Sequence, residues 1–340
     1  MNRVLPGPAD HGPVLSIVVP VYYNEQSLEP LYHCVVSTFE QILSPDNLEI
    51  VFVDDGSGDG SFDVLCGLAK KDPCRVRVLR LARNFGSHAA ILAGLNACRG
   101  TYAAMLSADL QDPPEIIARM LEQARTDGAY VVLAVRDARE EPALKTHLAN
   151  GYYWIMRTLT DARFPSGGFD CFLIHRHVID ALTRLNETNT SLTAQILWLG
   201  FRKSSISYVR KARIQGKSRW TLRKKVRLLA DSLVSFSRLP VRFVEVMGFG
   251  AMMCGLLYAA WITILRLTDD KIPPGWASLM VVLLVMFGLT LLSLGIIGEY
   301  LWRILDASRR RPAFLVAESL NLGMDSGFEN PSQETQEGSH

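Results

Sequence analysis

At 340 residues the chain is long enough for one large or two modest domains with ample core. Its 36 basic and 34 acidic residues leave a net charge of +2, which names no anionic partner for the chain as a whole. Six scattered cysteines without a C-x-x-C pair argue against a zinc site and a disulfide framework, and fit a reducing compartment. Residues 1–13 are polar and broken by three prolines, so no signal peptide is expected there.

Leu15–Val21 reads as a short β-rich run ended by Pro20 and followed by Asn24 and Glu25. Leu28, Leu31, Val35, Phe39 and Ile42 then recur at helical spacing and form one buried stripe. Leu48–Val53 is a second buried strand, running out into Asp54-Asp55-Gly56-Ser57-Gly58-Asp59. A carboxylate there can accept hydrogen bonds from a ribose or a base, and small residues let the backbone approach closely. A solvated turn entering a helix at Ser61 is the plainer reading. No G-x-G-x-x-G is present, which disfavours a dinucleotide fold of the dehydrogenase kind.

Val76–Leu81 is the third strand, followed by Arg83-Asn84-Phe85-Gly86 and a small-residue helix over Ala89–Cys98. Arg83 can clamp a diphosphate as a planar fork, or serve a surface ion pair. Tyr102–Leu106 is the fourth strand, and the backbone leaves it carrying Asp109, Gln111 and Asp112 ahead of Pro113-Pro114. Hard oxygen ligands at the carboxyl end of a parallel strand suit Mg²⁺ or Mn²⁺ shared with substrate phosphates. A polar turn closed by the prolines is the alternative. A helix over Pro114–Arg125 and a fifth strand, Tyr130–Val135, lead to Arg136. The alternation predicts an α/β fold with a mostly parallel sheet covered on both faces.

Past Arg136 the pattern changes. Leu144, Leu148, Tyr152, Ile155, Met156 and Leu159 stripe a helix whose other face carries Lys145, His147 and Arg157; a core-packed helix is an equal reading. Gly167-Gly168-Phe169-Asp170 enters an apolar strand, Cys171–Ile174. From Arg202 to Arg227 there are eleven Lys or Arg and no Asp or Glu. Leu222, Val226, Leu229, Leu233 and Phe236 stripe a helix interleaved with Arg223, Lys224, Lys225 and Arg227, as in a helix lying among lipid headgroups. A nucleic-acid patch is the rival; the apolar stretches that follow favour lipid phosphate.

Val246–Leu265 is free of charge for twenty residues and Trp276–Gly298 for twenty-three, against the ~20 a membrane helix needs. Arg238 and Arg242 flank the first; Arg303 and Arg309 to Arg311 flank the second. The positive-inside rule then puts both termini in the cytoplasm and the linker, Arg266–Gly275, outside. The expected organisation is an N-terminal extension (1–13), a cytosolic domain (14–205), a basic interfacial segment (206–240), two transmembrane helices (241–303) and a cytosolic tail (304–340), disordered beyond Asn321.

In order along the chain come Pro20-Val-Tyr-Tyr-Asn24-Glu25, Val53-Asp-Asp-Gly-Ser57, Arg83-Asn-Phe-Gly86, Asp109-Leu-Gln-Asp-Pro-Pro114, Gly168-Phe-Asp170, Arg213-x-x-Gly216-x-Ser218-Arg219, Gly295-Ile-Ile-Gly-Glu-Tyr300 and Arg311-Pro312. The series resembles the polyprenyl-phosphate glycosyltransferases of glycosyltransferase family 2. It is most similar to the bacterial branch with two C-terminal membrane helices, which includes bactoprenol glucosyltransferases and undecaprenyl-phosphate aminoarabinose transferases. The resemblance implies a GT-A-like sheet and transfer of a sugar, with inversion, from a nucleotide sugar, expected to be UDP-linked, to polyprenyl phosphate. The expectation is a multi-pass protein of the inner (plasma) membrane that forms a homo-oligomer and has no nucleic-acid partner. Pro20, Asn24, Glu25, Asp54, Asp55, Arg83 and Asp109 are implied in nucleotide-sugar binding. Asp109 and Gln111 would hold the divalent metal. Asp170 and Asp109 are the implied catalytic pair, and Arg136, Arg213, Ser218 and Arg219 the phosphate and acceptor residues.

Three departures from the family pattern stand out. Ser107-Ala108-Asp109 replaces the usual D-x-D, and a neutral hydroxyl lowers the expected metal affinity unless Asp112 swings in. Phe172 stands where an arginine is common, and Arg219 where lysine is commoner. Ser107 also motivates the alternative of a catalytically weak or metal-independent member acting as a lipid-binding or scaffold protein. A processive polysaccharide synthase is disfavoured, because Gln215 to Arg219-Trp220 is one residue too long for Q-x-x-R-W.

Overall fold

Continuous aliphatic runs bounded by polar turns build most of the sheet. In chain order the elements are β1 (Leu15–Val21), α1 (Glu25–Phe39), β2 (Leu48–Asp54), α2 (Ser61–Lys71), β3 (Val76–Leu81), α3 (Ser87–Ala97), β4 (Tyr102–Met105), α4 (Glu115–Asp127), β5 (Val131–Arg136) and β6 (Phe169–His175). There follow α5 (Arg176–Leu185), α6 (Leu192–Trp198), β7 (Lys203–Tyr208), α7 (Leu239–Thr268), α8 (Trp276–Ser308) and β8 (Val316–Leu320). The computed structural model describes residues 13–136, 169–185, 191–208, 239–268, 275–309 and 311–322. The predicted amphipathic helices over 144–159 and 222–236, the basic motif from Arg213 to Arg219 and the tail beyond 322 lie outside them.

Among the described residues eight strands form one sheet in the order β7-β5-β6-β4-β1-β2-β3-β8. The pairs β1/β2, β2/β3, β1/β4 and β5/β7 are parallel, whereas β6 is antiparallel to β4 and β5, and β8 to β3. The mostly parallel, GT-A-like sheet expected from the sequence is therefore present, with helices packed against it. Val19, Phe52 and Val78, alternate residues of β1 to β3, meet Leu28, Leu31, Val35 and Leu65 in one core on one face of the sheet. The segment expected as a cytosolic tail, 304–340, carries a strand ahead of Asn321. Val316–Leu320 returns to the sheet beside β3, and the Asn321 side chain closes this strand by donating to the Ala69 and Val76 carbonyls at 2.9 and 3.0 Å.

At the end of the sheet remote from the strand-exit loops, Glu49 is 1% exposed and pairs with Arg77 at 2.8 Å and Arg99 at 3.1 Å. It also accepts from the Ser16 hydroxyl and the Arg99 N–H. A buried carboxylate persists only with such partners.

A second unit, Ser232–Arg311, contains α7 and α8, of 30 and 33 residues. Both predicted charge-free stretches lie inside these helices. Val246, Phe249, Leu257 and Trp261 on α7, and Leu283, Phe287, Leu294 and Leu301 on α8, are exposed. Among the described residues, Val285–Asp306 is long and apolar enough to cross a bilayer, and Val246–Gly255 is a shorter apolar stretch.

Candidate active site

The topology gathers the predicted donor-side residues at one edge. Asn24 and Glu25 follow β1, Asp54 ends β2, Arg83 follows β3, and Asp109 and Gln111 follow β4. Because β6 runs the other way, its first residues share that edge: Met105 of β4 pairs with Phe172, and Val135 of β5 with Phe169. The backbone of Asp170 thus lies beside the ends of β4 and β5, near that of Arg136. Asp54 and the acidic loop flank β1 and are separated by two strand spacings, about 10 Å. Arg213, Ser218 and Arg219 are outside the described residues.

Asp54 is fully buried and accepts from the Ser57 N–H at 3.2 Å. Arg80 Nε stands 3.6 Å from its Oδ2. Asp55, also buried, turns the other way and accepts from the Phe85 N–H at 2.7 Å and the Gly86 N–H at 2.9 Å. Burial raises the Asp55 carboxyl above the usual aspartate range, those two N–H groups pull it down, and the Asp54 charge raises it again. One aspartate meets the Ser57 N–H and Arg80 at the end of β2; its neighbour fastens the Arg83–Gly86 loop. Gly56 makes this possible: at φ +68 a Cβ there would lie 2.8 Å from the Arg83 carbonyl carbon. Arg83 itself is exposed, its guanidinium 4.6 Å over the Phe85 ring.

Serines clamp the other loops. Ser57 Oγ accepts from the Tyr23 N–H and Ser61 Oγ from the Asn24 N–H, each at 3.0 Å, holding Tyr23 at φ +56. Glu25 accepts from the Gly60 N–H at 3.1 Å, and partly buried Pro20 precedes this turn. Ser27 donates to the Ala108 carbonyl at 2.6 Å, tying α1 to the acidic loop.

In that loop Ser107 Oγ lies 2.8 Å from Asp109 Oδ1 and 2.7 Å from Asp112 Oδ2. Asp112 is 1% exposed, and its Oδ1 accepts from the Tyr208 hydroxyl at 2.6 Å. For Asp112 to swing in as a ligand it would have to give up the hydrogen bonds by which its oxygens brace the loop. Leu110 at φ +58 marks the bend, a left-handed conformation of the kind that gathers at ligand-binding loops. Among the described residues no three His, Cys, Asp or Glu side chains cluster as a metal cage. Asp109 with the neutral oxygens of Ser107 and Gln111 still suits Mg²⁺ or Mn²⁺, which need only one or two carboxylates beside a diphosphate.

Sequence reasoning missed Arg80, Tyr208 and the three serine clamps. A charged residue inside an otherwise apolar strand was the signal available for Arg80.

The glycosyl transferase family 2 model matches residues 16–182. The chain is 36% identical over 308 residues to an uncharacterized glycosyltransferase, YkcC, of Bacillus subtilis, covering 90% of this chain and 94% of that protein. It is 33% identical over 303 residues to the bactoprenol glucosyl transferase of Shigella phage SfX, covering 89% and 98%. It is likewise 33% identical over 317 residues to an undecaprenyl-phosphate 4-deoxy-4-formamido-L-arabinose transferase of Pseudomonas fluorescens, covering 90% and 89%. With its sheet, its strand-exit carboxylates and full-length relatives of this kind, the chain belongs to glycosyltransferase family 2 and is a glycosyltransferase.

Proposed function

We propose that this glycosyltransferase moves a sugar from a UDP-sugar to the phosphate of a polyprenyl carrier at the cytoplasmic face of a membrane. The observation that carries the reading is the extent of similarity to the bactoprenol and undecaprenyl-phosphate enzymes. An alignment of 303 residues is too long for the sheet-bearing domain alone, so it takes in the apolar helices too. In this reading α7 and α8 cross the bilayer, both termini are cytoplasmic, and the exposed apolar side chains of both helices face lipid.

Asp54 contacts the base or ribose of the donor, and Asn24, Glu25 and Arg83 line the nucleotide. Asp109 and Gln111 would hold a divalent cation, which when bound neutralises charge on the departing diphosphate. The acceptor is a phosphate monoester with a second pKa of about 6, so it is mostly ionised near neutral pH and hardly needs a general base. Asp170 then positions the acceptor. Attack by the phosphate oxygen on the anomeric carbon expels the nucleoside diphosphate in one displacement and inverts the centre. A lipid phosphate cannot leave the headgroup layer, so the helices hold the site at that height while Arg136, Arg213, Ser218 and Arg219 draw the anion in.

The test is a donor panel. The full chain in lipid is given UDP-glucose, UDP-N-acetylglucosamine, a UDP-aminoarabinose derivative and GDP-mannose, with and without polyprenyl phosphate and with and without Mg²⁺ or Mn²⁺. Release of UDP that depends on the lipid phosphate is expected; no release from any donor contradicts the reading.

A further inference from the structure

β8 follows α8 in the chain and joins the sheet at its outer edge, where the register sets Glu318 opposite Arg80. The side chains meet, Arg80 Nη1 donating to Glu318 Oε1 at 2.9 Å. The same guanidinium lies 4.5 Å from the Phe62 ring centroid and points Nε at Asp54 Oδ2, 3.6 Å away. One arginine therefore links a half-exposed glutamate on the last strand to a fully buried carboxylate at the strand-exit edge. The link is fastened at both ends of β8: the Ala82 N–H donates to the Leu315 carbonyl at 2.9 Å, and Asn321 closes the far end.

The distances are unequal in a telling way. At 2.9 Å the contact with Glu318 is a charge-assisted hydrogen bond, whereas 3.6 Å to Asp54 is too long to be one. Nη1 serves Glu318 while Nε faces Asp54, so one guanidinium is drawn toward both carboxylates and sits closer to Glu318. Were Arg80 released, it would be free to close on Asp54 and occupy the lone pairs that a nucleoside N–H or O–H needs. We infer that Glu318 is a positioning residue for donor binding: it holds Arg80 off Asp54, so that β8 completes the nucleotide pocket. The inference rests on the nucleoside-binding role proposed above for Asp54.

The experiment is calorimetric titration of the full-length protein in detergent with UDP, GDP, CDP and ADP, for the wild type, Glu318→Gln, Glu318→Asp, Arg80→Met and the double variant Glu318→Gln/Arg80→Met. Thermal unfolding verifies that each variant is folded. Glu318→Gln is expected to raise Kd for the bound nucleotide about threefold to fivefold, the range of an exposed ion pair, while kcat at saturating donor changes less than about twofold. Glu318→Asp restores binding at least in part, and in the Arg80→Met background the Glu318→Gln change has no further effect. An unchanged Kd for Glu318→Gln, or the same change persisting without Arg80, overturns the inference. A wild type that binds none of the four nucleotides overturns the donor-site reading itself, and this inference with it.

Discussion

Tyr208, the last residue of β7, gives its hydroxyl proton to Asp112 across 96 residues of sequence, at 2.6 Å. That bond ties the acidic loop to the strand from which the basic segment departs. Removing the hydroxyl leaves a buried carboxylate short of a donor, which costs roughly 1–3 kcal/mol. Tyr208→Phe should therefore lower the unfolding temperature and reduce kcat/KM about tenfold, as measured by thermal unfolding and by UDP release. A variant with unchanged turnover would show that Asp109 needs no such brace.

Gly56 supplies a sharper test of the donor pocket. A methyl group there collides with the Arg83 backbone, and φ +68 adds strain of roughly 1–3 kcal/mol. Gly56→Ala should push the Arg83–Gly86 loop outward and weaken UDP binding by about tenfold. Titration with UDP reads this directly, with thermal unfolding to verify that the sheet persists.

His175 gives the fold a pH dependence. It packs edge-on to Tyr102 and Tyr130, with ring centroids 5.1 and 5.3 Å away, and its Nδ1 accepts from the His177 N–H at 3.2 Å. Burial, then the nearby His177 and Arg176, hold its pKa below the ordinary 6.5. Between its folded value and 6.5 the unfolded chain binds more protons than the native one. Stability is thus full above about pH 6.5 and is lost as pH falls through that window. The unfolding temperature should drop on going from about pH 7.5 to 5.5, and His175→Phe should flatten that slope. Equal slopes would contradict the assignment.

Glu49 separates stability from function. It lies at the far end of the sheet, so Glu49→Ala should strand the Arg77 charge and cost about 3–5 kcal/mol. In whatever fraction stays folded, KM for the donor should be unaltered; thermal unfolding and donor kinetics together check this.

The strands β1 to β5 were legible because strands buried on both faces read as largely apolar runs, interrupted in β2 and β3 only by charges such as Glu49, Arg77 and Arg80. The direction of β6 was not, since an apolar run carries no arrow. Lys203–Tyr208 and Val316–Leu320 escaped notice because edge strands are half solvated and short. At the site, carboxylates announce themselves by following strands. Arg80 with Glu318, 238 residues apart, and Tyr208 with Asp112 leave no local mark, because only the folded sheet brings them together. In the sequence Ser107 is a weakened ligand; in the fold its contacts with Asp109 and Asp112 brace the loop.

The most direct measurement follows the sugar. Full-length protein in liposomes containing polyprenyl phosphate is incubated with radiolabelled UDP-sugars, and the organic extract is counted. The expected result is acid-labile label in the lipid phase, matched mole for mole by released UDP and abolished by Asp54→Ala and by Asp109→Ala. Label that stays in the aqueous phase with every donor, despite folded protein and available lipid phosphate, would contradict the proposed reaction.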